Sequence, residues 1–120
     1  MTRKLRRTFS CGVELTLSII GGKWKPVILA HLKQGALRYG ELRALIPGLS
    51  DKMLTQRLKD LEKSGLVRRR KSGRRGAPSS YELTPLAQSL RPALQSLNDW
   101  GERVANEFGA KVEPRWLPEP

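Results

Sequence analysis

Four long polar side chains line one side of a predicted helix that follows Ser50. The helix is predicted from apolar residues that recur every three or four positions, Leu54, Leu58 and Leu61. The opposite side carries Lys52, Gln56, Lys59 and Lys63, with Thr55 beside them. In a DNA major groove, Gln can bind adenine bidentately and Lys can bind guanine. Taken alone, the pattern favours an ordinary solvated face, because polar outer faces are the rule for surface helices.

A basic hairpin after this helix favours a different interpretation. Residues 67–76 contain six Arg or Lys and no acid, and strands are predicted at Val67–Ser72 and Ser80–Leu83. Arg74 and Arg75 lie at the predicted tip between two glycines, which suits a narrow minor groove. The residues predicted to contact phosphates are Arg68, Arg70 and Lys71. A polar helix face beside such a hairpin indicates a surface for duplex DNA. If the cluster of basic residues were incidental, no polyanion would relieve the repulsion between their charges.

The charge of the whole chain points to the same partner. The 120 residues predict a single domain and carry a net charge of +12, which favours a polyanion. The charge is uneven, because residues 1–80 have a net charge of +14 and residues 81–120 a net charge of −2. We expect a flexible basic arm at 1–10, a folded domain at 11–109 and an extended Pro-rich tail at 110–120.

The remaining pattern predicts a mostly α-helical fold with a small β wing. Helices are predicted at 13–20, 23–34 and 40–46, with only a minor strand at 37–39. Pro47-Gly48 separates the third helix from the one capped by Ser50, which makes a helix-turn-helix. Thr84-Pro85 predicts another helix start, and Pro92 is expected to kink that helix or to begin a second one.

The C-terminal helix has a longer apolar stripe than one small core requires. It includes Leu86, Leu90, Leu94, Leu97, Trp100, Val104 and Phe108. The stripe either covers the domain itself or packs partly on a symmetry mate in a two-fold dimer, and both alternatives stay open. The dimer alternative assigns its interface to Leu15, Ile19, Leu90, Leu94, Leu97, Trp100 and Val104.

Cys11 is the residue whose type and place suggest regulation. It lies at a predicted helix start beside Arg6 and Arg7, and both features favour a thiolate. Most lone cysteines are inert core thiols, and that alternative stays open. His31 has no Cys, Asp or Glu at ligand spacing, so neither a metal site nor a cofactor is expected. No nucleophile–base pair or phosphate-binding loop is evident, and no apolar run approaches the ~18 residues of a membrane span. We therefore expect a cytoplasmic, non-enzymatic protein.

A series of residues along the chain matches a known pattern: Cys11, Ile20–Lys25, Ile28-Leu29, Gly35, Arg38–Leu42, Ile46–Leu54, Leu58–Glu62, Gly65–Val67, Tyr81–Thr84 and Trp100-Gly101. The Gly-Gly-Lys-Trp and Ser-x-Lys-Met-Leu blocks are its most specific parts. Over about residues 11–101, the chain thus resembles the HxlR-type family of winged helix-turn-helix transcription regulators.

The resemblance implies a homodimer built from the first and last helices and bound to a pseudo-palindromic operator. It also implies a recognition helix at Ser50–Ser64 and a wing at Arg69–Ser80. Cys11 takes the position at which some members sense oxidants or electrophiles. Three places depart from the family pattern: Gly12 follows the cysteine, Gly76–Ser80 precedes the tyrosine, and Leu83–Ala87 begins the last helix.

The sequence thus predicts a nucleoid-associated, sequence-specific regulator, expected to be a repressor near its own gene. The residues predicted to contact DNA are Arg38, Ser50, Lys52, Thr55, Gln56, Lys59, Arg68, Arg70, Lys71, Arg74 and Arg75. The alternative is an architectural protein that binds nucleic acid without sequence preference, for which the basic arm and wing would suffice. Modulation at Cys11 and a small-molecule effector, which the sequence does not identify, are further expectations.

Overall fold

The computed structural model describes residues 8–71 and 79–113. Its helices are α1 (Gly12–Ile20), α2 (Trp24–Leu32), α3 (Tyr39–Leu45), α4 (Asp51–Lys63), α5 (Pro85–Gln88) and α6 (Arg91–Phe108). Its strands are β1 (Leu37–Arg38), β2 (Val67–Arg70) and β3 (Ser80–Leu83). The predicted mostly helical fold with a small β wing is confirmed.

The helix-turn-helix consists of α3, a turn through Pro47-Gly48, and α4. Ser50 begins α4 as predicted, because its hydroxyl accepts a hydrogen bond from the Met53 N–H at 3.2 Å. Gly65 ends the helix with a φ of 77°, a left-handed conformation that glycine adopts without steric cost. The Leu66 N–H then donates back to the Leu61 carbonyl at 3.0 Å, which turns the chain directly into β2.

The sheet has three antiparallel strands in the order β1-β3-β2 rather than the two strands of a simple hairpin. The two-residue β1 pairs with β3, so that Arg38 lies opposite Ser80. On its other side β3 pairs with β2, so that Arg68 lies opposite Glu82. The segment predicted as a minor strand is stable because Leu37 packs against the core while β3 satisfies its backbone.

One core joins these elements. Leu54, Leu58 and Leu61 of α4 are almost fully buried, together with Ile28, Leu29 and Leu32 of α2. Leu42 of α3 and Val67, Tyr81 and Leu83 of the sheet complete the same cluster. The predicted inward face of α4 is therefore confirmed, and its polar face must point outward.

Pro92 marks a second helix start rather than a kink. α5 ends at Gln88, and α6 begins at Arg91 with Pro92 in its first turn, where a missing N–H costs no helical hydrogen bond. Thr84 caps α5 by accepting from the Ala87 N–H at 3.3 Å. α6 then packs against α2, which connects the C-terminal helix to the core.

We expect Leu54→Ala to lower the free energy of unfolding by about 2–5 kcal/mol, because it leaves a cavity in the core beneath α4. Urea unfolding at fixed protein concentration would measure this change. Met53→Ala is the matched control, because Met53 is an exposed neighbour on the same helix. Its effect should stay below about 1 kcal/mol. Equal losses from both substitutions would contradict the assigned orientation of α4.

Candidate nucleic-acid interface

The outward face of α4 presents the side chains that the sequence predicted. Lys52, Thr55, Gln56, Lys59 and Lys63 are all exposed. Within the described residues, the three lysines have no carboxylate within 4.0 Å, so their charges are available to a partner. The face can therefore donate hydrogen bonds to base edges or to phosphates.

Other polar groups on α4 are already engaged. Gln56 Nε2 donates to Asp60 Oδ1 at 3.1 Å, and Arg57 pairs with the other oxygen of the same carboxylate at 3.0 Å. A base contact by Gln56 would have to replace its bond to Asp60. Ser50 is exposed, but its oxygen already caps the helix, so its remaining capacity is as a hydroxyl donor.

The positive charge on the strands of the basic hairpin is partly balanced by a carboxylate. The prediction that this charge is uncompensated is therefore wrong for the strands. Glu82 on β3 pairs with Arg68 at 2.7 Å and with Arg70 at 3.4 Å. The hydrogen bond from Arg68 is the main reason that the pKa of Glu82 is lowered, so the carboxylate stays charged. The antiparallel register places Arg68 directly opposite Glu82 on the neighbouring strand. Counting residues along the two predicted strands from the turn could have revealed this pair.

Arg69 has a different role from its neighbours. Because side chains alternate along a strand, it lies on the same side of the sheet as Val67 and faces the core elements. Its guanidinium lies 5.4 Å from the centre of the Tyr81 ring and 3.6 Å from Glu62 Oε1 near the end of α4. Arg69 therefore links the sheet to α4, a contact that the sequence reasoning missed.

Arg38 and Lys71 are the exposed cations that remain around the sheet. Arg38 and Arg70 both lie opposite Ser80, so the three residues form one row across the strands. Neither Arg38 nor Lys71 has an ion pair with another described residue. Arg74 and Arg75, with the predicted turn around them, lie outside the described residues.

Apolar side chains are exposed on the first and last helices. Trp100 and Phe108 on α6 are 67% and 80% exposed, and Val13 on α1 is 67% exposed. Leu17, Leu97 and, at the margin, Leu15 are exposed as well. The interface expected from sequence did not include Val13, Leu17 and Phe108. All three are exposed apolar side chains, like Leu97 and Trp100, which it did include.

Part of the expected dimer set belongs instead to the core of the single chain. Leu94 is only 3% exposed, so it has little surface to offer to a partner. Ile19 and Leu90 are half-buried against the core, and Val104 is half-buried on α6. The cause is geometric, since one continuous apolar stripe on a helix serves both the core and the surface.

Cys11 is exposed and occupies the N-cap position of α1. The backbone N–H of Glu14, then that of Val13, lowers the pKa of the thiol, because donors at a helix start favour the thiolate. The thiol does not cap the helix with a side-chain hydrogen bond. Arg6 and Arg7, invoked in the sequence prediction, lie outside the described residues.

A metal centre has no support in the part of the chain that the structure describes. It holds no group of three or more His, Cys, Asp or Glu able to bind an ion. Burial, followed by the charge of Lys33, lowers the pKa of His31, which therefore favours a neutral imidazole. No helix in the described ranges is long and apolar enough to span a membrane.

The helix-turn-helix, the adjoining three-stranded sheet and the exposed face of α4 define a winged helix-turn-helix regulator. The chain belongs to the HxlR-like helix-turn-helix family, which matches residues 19–108. Helix-turn-helix regulators of this kind bind DNA, and neither the relatives nor the fold are those of an enzyme.

Individual relatives agree with this membership. The HTH-type transcriptional regulator YkvN of Bacillus subtilis is 43% identical over 107 residues, which span 89% of this chain and 91% of the relative. The redox regulator HypR in its reduced form superposes with a TM-score of 0.75 at 33% identity, covering 82% of this chain and 98% of HypR. The reduced transcriptional regulator YodB of B. subtilis has a TM-score of 0.68 at 30% identity, with 79% and 94% covered. A quinone-bound YodB structure is similar as well, with a TM-score of 0.63 at 31% identity and coverages of 76% and 96%.

We expect the Cys11 thiol to titrate at a lower pH in the folded protein than in the urea-unfolded chain. The lowered pKa means that more thiolate is present near pH 7 in the folded state. The rate of alkylation by iodoacetamide, followed from pH 5 to 10, would report the midpoint. A folded-state midpoint at or above that of the unfolded chain would contradict the effect assigned to the start of α1.

Proposed function

We propose that this chain is a homodimeric transcription regulator that recognises a specific operator by placing α4 in the major groove. The observation that carries this proposal is the exposed donor face of α4, held outward by the three buried leucines behind it. Such a face can make sequence-dependent contacts only if its backbone is fixed, and the core provides that rigidity.

The proposed contacts divide into base readout and phosphate positioning. Lys52, Thr55, Gln56 and Lys59 read base edges, because their donors lie on the exposed side of α4. Arg38 and Lys71 bind phosphates, since both are exposed cations without an internal ion pair among the described residues. Arg68 and Arg70 join them when phosphate replaces Glu82 as their partner. Arg74 and Arg75 are proposed for the minor groove on sequence grounds alone.

The proposed homodimer buries the apolar surface of α1 and α6. Large exposed apolar side chains on neighbouring turns mark an interaction surface, and a two-fold axis would cover the same patch on both copies. The interface is therefore assigned to Val13, Leu15, Leu17, Leu97, Trp100 and Phe108, with Val104 at its edge. Two recognition helices would then read half-sites about one helical turn apart.

The regulator is proposed to act as a repressor near its own gene, in the cytoplasm where the nucleoid lies. A dimer bound across a promoter would exclude polymerase sterically. Oxidants or electrophiles would relieve repression by reacting with Cys11, whose thiolate is favoured and whose helix belongs to the proposed dimer surface. The redox regulator HypR and the quinone-bound form of YodB support this part of the proposal by similarity.

Gln56→Ala should weaken binding to the specific duplex by roughly 5- to 150-fold, because a bidentate base contact is worth about 1–3 kcal/mol. Binding to a scrambled duplex should change little. The specific duplex would come from selection in a random pool, and fluorescence anisotropy would measure both affinities. Lys71→Ala is the control, since loss of a phosphate contact should weaken both duplexes and reduce the salt slope by about 1.

An equal effect of Gln56→Ala on both duplexes would show that α4 does not read bases. A selection that yields no enriched sequence would favour the architectural alternative, in which charge alone drives binding.

Trp100→Glu should convert the dimer to a monomer, because it places a charge in the centre of the proposed apolar interface. Light scattering would then give a mass near the 13.5 kDa of one chain instead of twice that value. Asn106→Glu is the control, because Asn106 is exposed on a different side of α6. If the Trp100 variant keeps the wild-type mass, the interface lies elsewhere; if wild type is itself monomeric, the dimer proposal fails.

A further inference from the structure

A polar cluster connects α3 to the first turn of α4 across the helix-turn-helix. Arg43 Nε donates to Asp51 Oδ1 at 2.8 Å. The Tyr39 hydroxyl lies 3.0 Å from the same carboxylate oxygen and 3.1 Å from the Asp51 backbone carbonyl. It also lies 3.4 Å from the hydroxyl of Thr55. Of these four residues, only Thr55 is used by the base contacts proposed above.

Helical spacing explains why the cluster forms. Tyr39 and Arg43 are four residues apart on α3, so they lie on one side of that helix. Asp51 and Thr55 are four residues apart on α4 and also share a side. The turn through Pro47-Gly48 brings the two pairs face to face. A contact between two pairs, unlike a single contact, restricts both the tilt and the rotation of α4.

The exposure of the cluster argues against a main role in stability. The side chain of Asp51 is 74% exposed and that of Arg43 is 33% exposed. Ion pairs at such positions contribute little to folding, because water screens them and their side chains lose entropy. The buried leucines of α4 already hold the helix on the core. Asp51 is the first residue of the helix that carries the proposed reading face, so a small shift there moves every donor on that face.

We propose that Arg43 and Asp51, assisted by Tyr39, are positioning residues that determine sequence specificity by fixing the start of α4 and the hydroxyl of Thr55. The inference rests on the proposed operator recognition and deepens it. The cluster also compensates the negative charge of Asp51, which would otherwise face phosphates unscreened. The pKa of Asp51 is lowered, first by the hydrogen bond from Arg43 and then by that from Tyr39, so the carboxylate accepts from both as an anion.

Two substitutions with opposite effects on charge separate positioning from simple attraction. Arg43→Gln removes a positive charge, and Asp51→Asn removes a negative one. If charge alone mattered, the first would weaken binding to all DNA, the second would strengthen it, and the double variant would restore wild-type affinity. If the pair positions α4, both single variants lower the ratio of specific to scrambled affinity.

We expect each single variant to reduce that ratio about tenfold, equivalent to about 1.4 kcal/mol. The double variant should lose no more than either single variant, because the two residues act as one unit. Tyr39→Phe, which removes only the hydroxyl, should lower the ratio several-fold. Thermal unfolding should show midpoints within a few degrees of wild type, so that loss of folding does not imitate loss of specificity.

Arg57→Gln is the matched control. It makes the same charge change as Arg43→Gln, but its ion pair with Asp60 lies within α4 and does not reach α3. It should weaken specific and scrambled duplexes alike. A ratio unchanged in both Arg43→Gln and Asp51→Asn, in a wild-type background that does discriminate, would overturn this inference alone. If wild type does not discriminate between duplexes, both the proposed function and this inference fail.

Discussion

Burial of the leucine face of α4 is the interaction on which the rest of the structure depends. Leu54, Leu58 and Leu61 enter the same core as α2, α3 and the sheet, so their burial sets the approximate rotation of α4 about its axis. Because a helix has a fixed period, that rotation also determines which residues face solvent. Lys52, Gln56 and Lys59 are exposed for the same reason that the leucines are buried. Stability and recognition are therefore coupled through a single helix.

Much of this architecture could be predicted because its signals are local. Ser50, Gly65 and Thr84-Pro85 specify helix ends through backbone chemistry that needs no tertiary partner. β1 is different, since two residues carry no pattern of their own and form a strand only where β3 offers hydrogen bonds. From sequence, Pro92 could either kink the last helix or begin a second one. It begins a second helix, and that helix, α6, packs against α2.

The candidate site could be predicted in its residue types but not in its pairings. In sequence, Glu82 is 14 residues from Arg68 and 12 residues from Arg70. Only the register of β2 and β3 brings its carboxylate to both guanidinium groups. Asp51 meets Arg43 and Tyr39 only through the conformation of the intervening turn. Leu94 and Leu97 look alike in a helical stripe, yet one lies in the core and the other on the surface. Such distinctions require the position of a second element.

The ion pairs divide the positive charge of the chain into two classes. Among the described residues, the arginines at 43, 57, 68, 69, 70 and 103 have carboxylate partners, whereas the lysines of α4 have none. Planar guanidinium groups suit carboxylates, while lysine remains hydrated as a compact charge. A polyanion that met the lysines of α4 would displace only counterions, whereas engagement of Arg68 or Arg70 would first have to separate them from Glu82. The total of 23 Lys and Arg therefore overstates the cations that are immediately available, and the lysines of α4 are among those that a polyanion would meet at little internal cost.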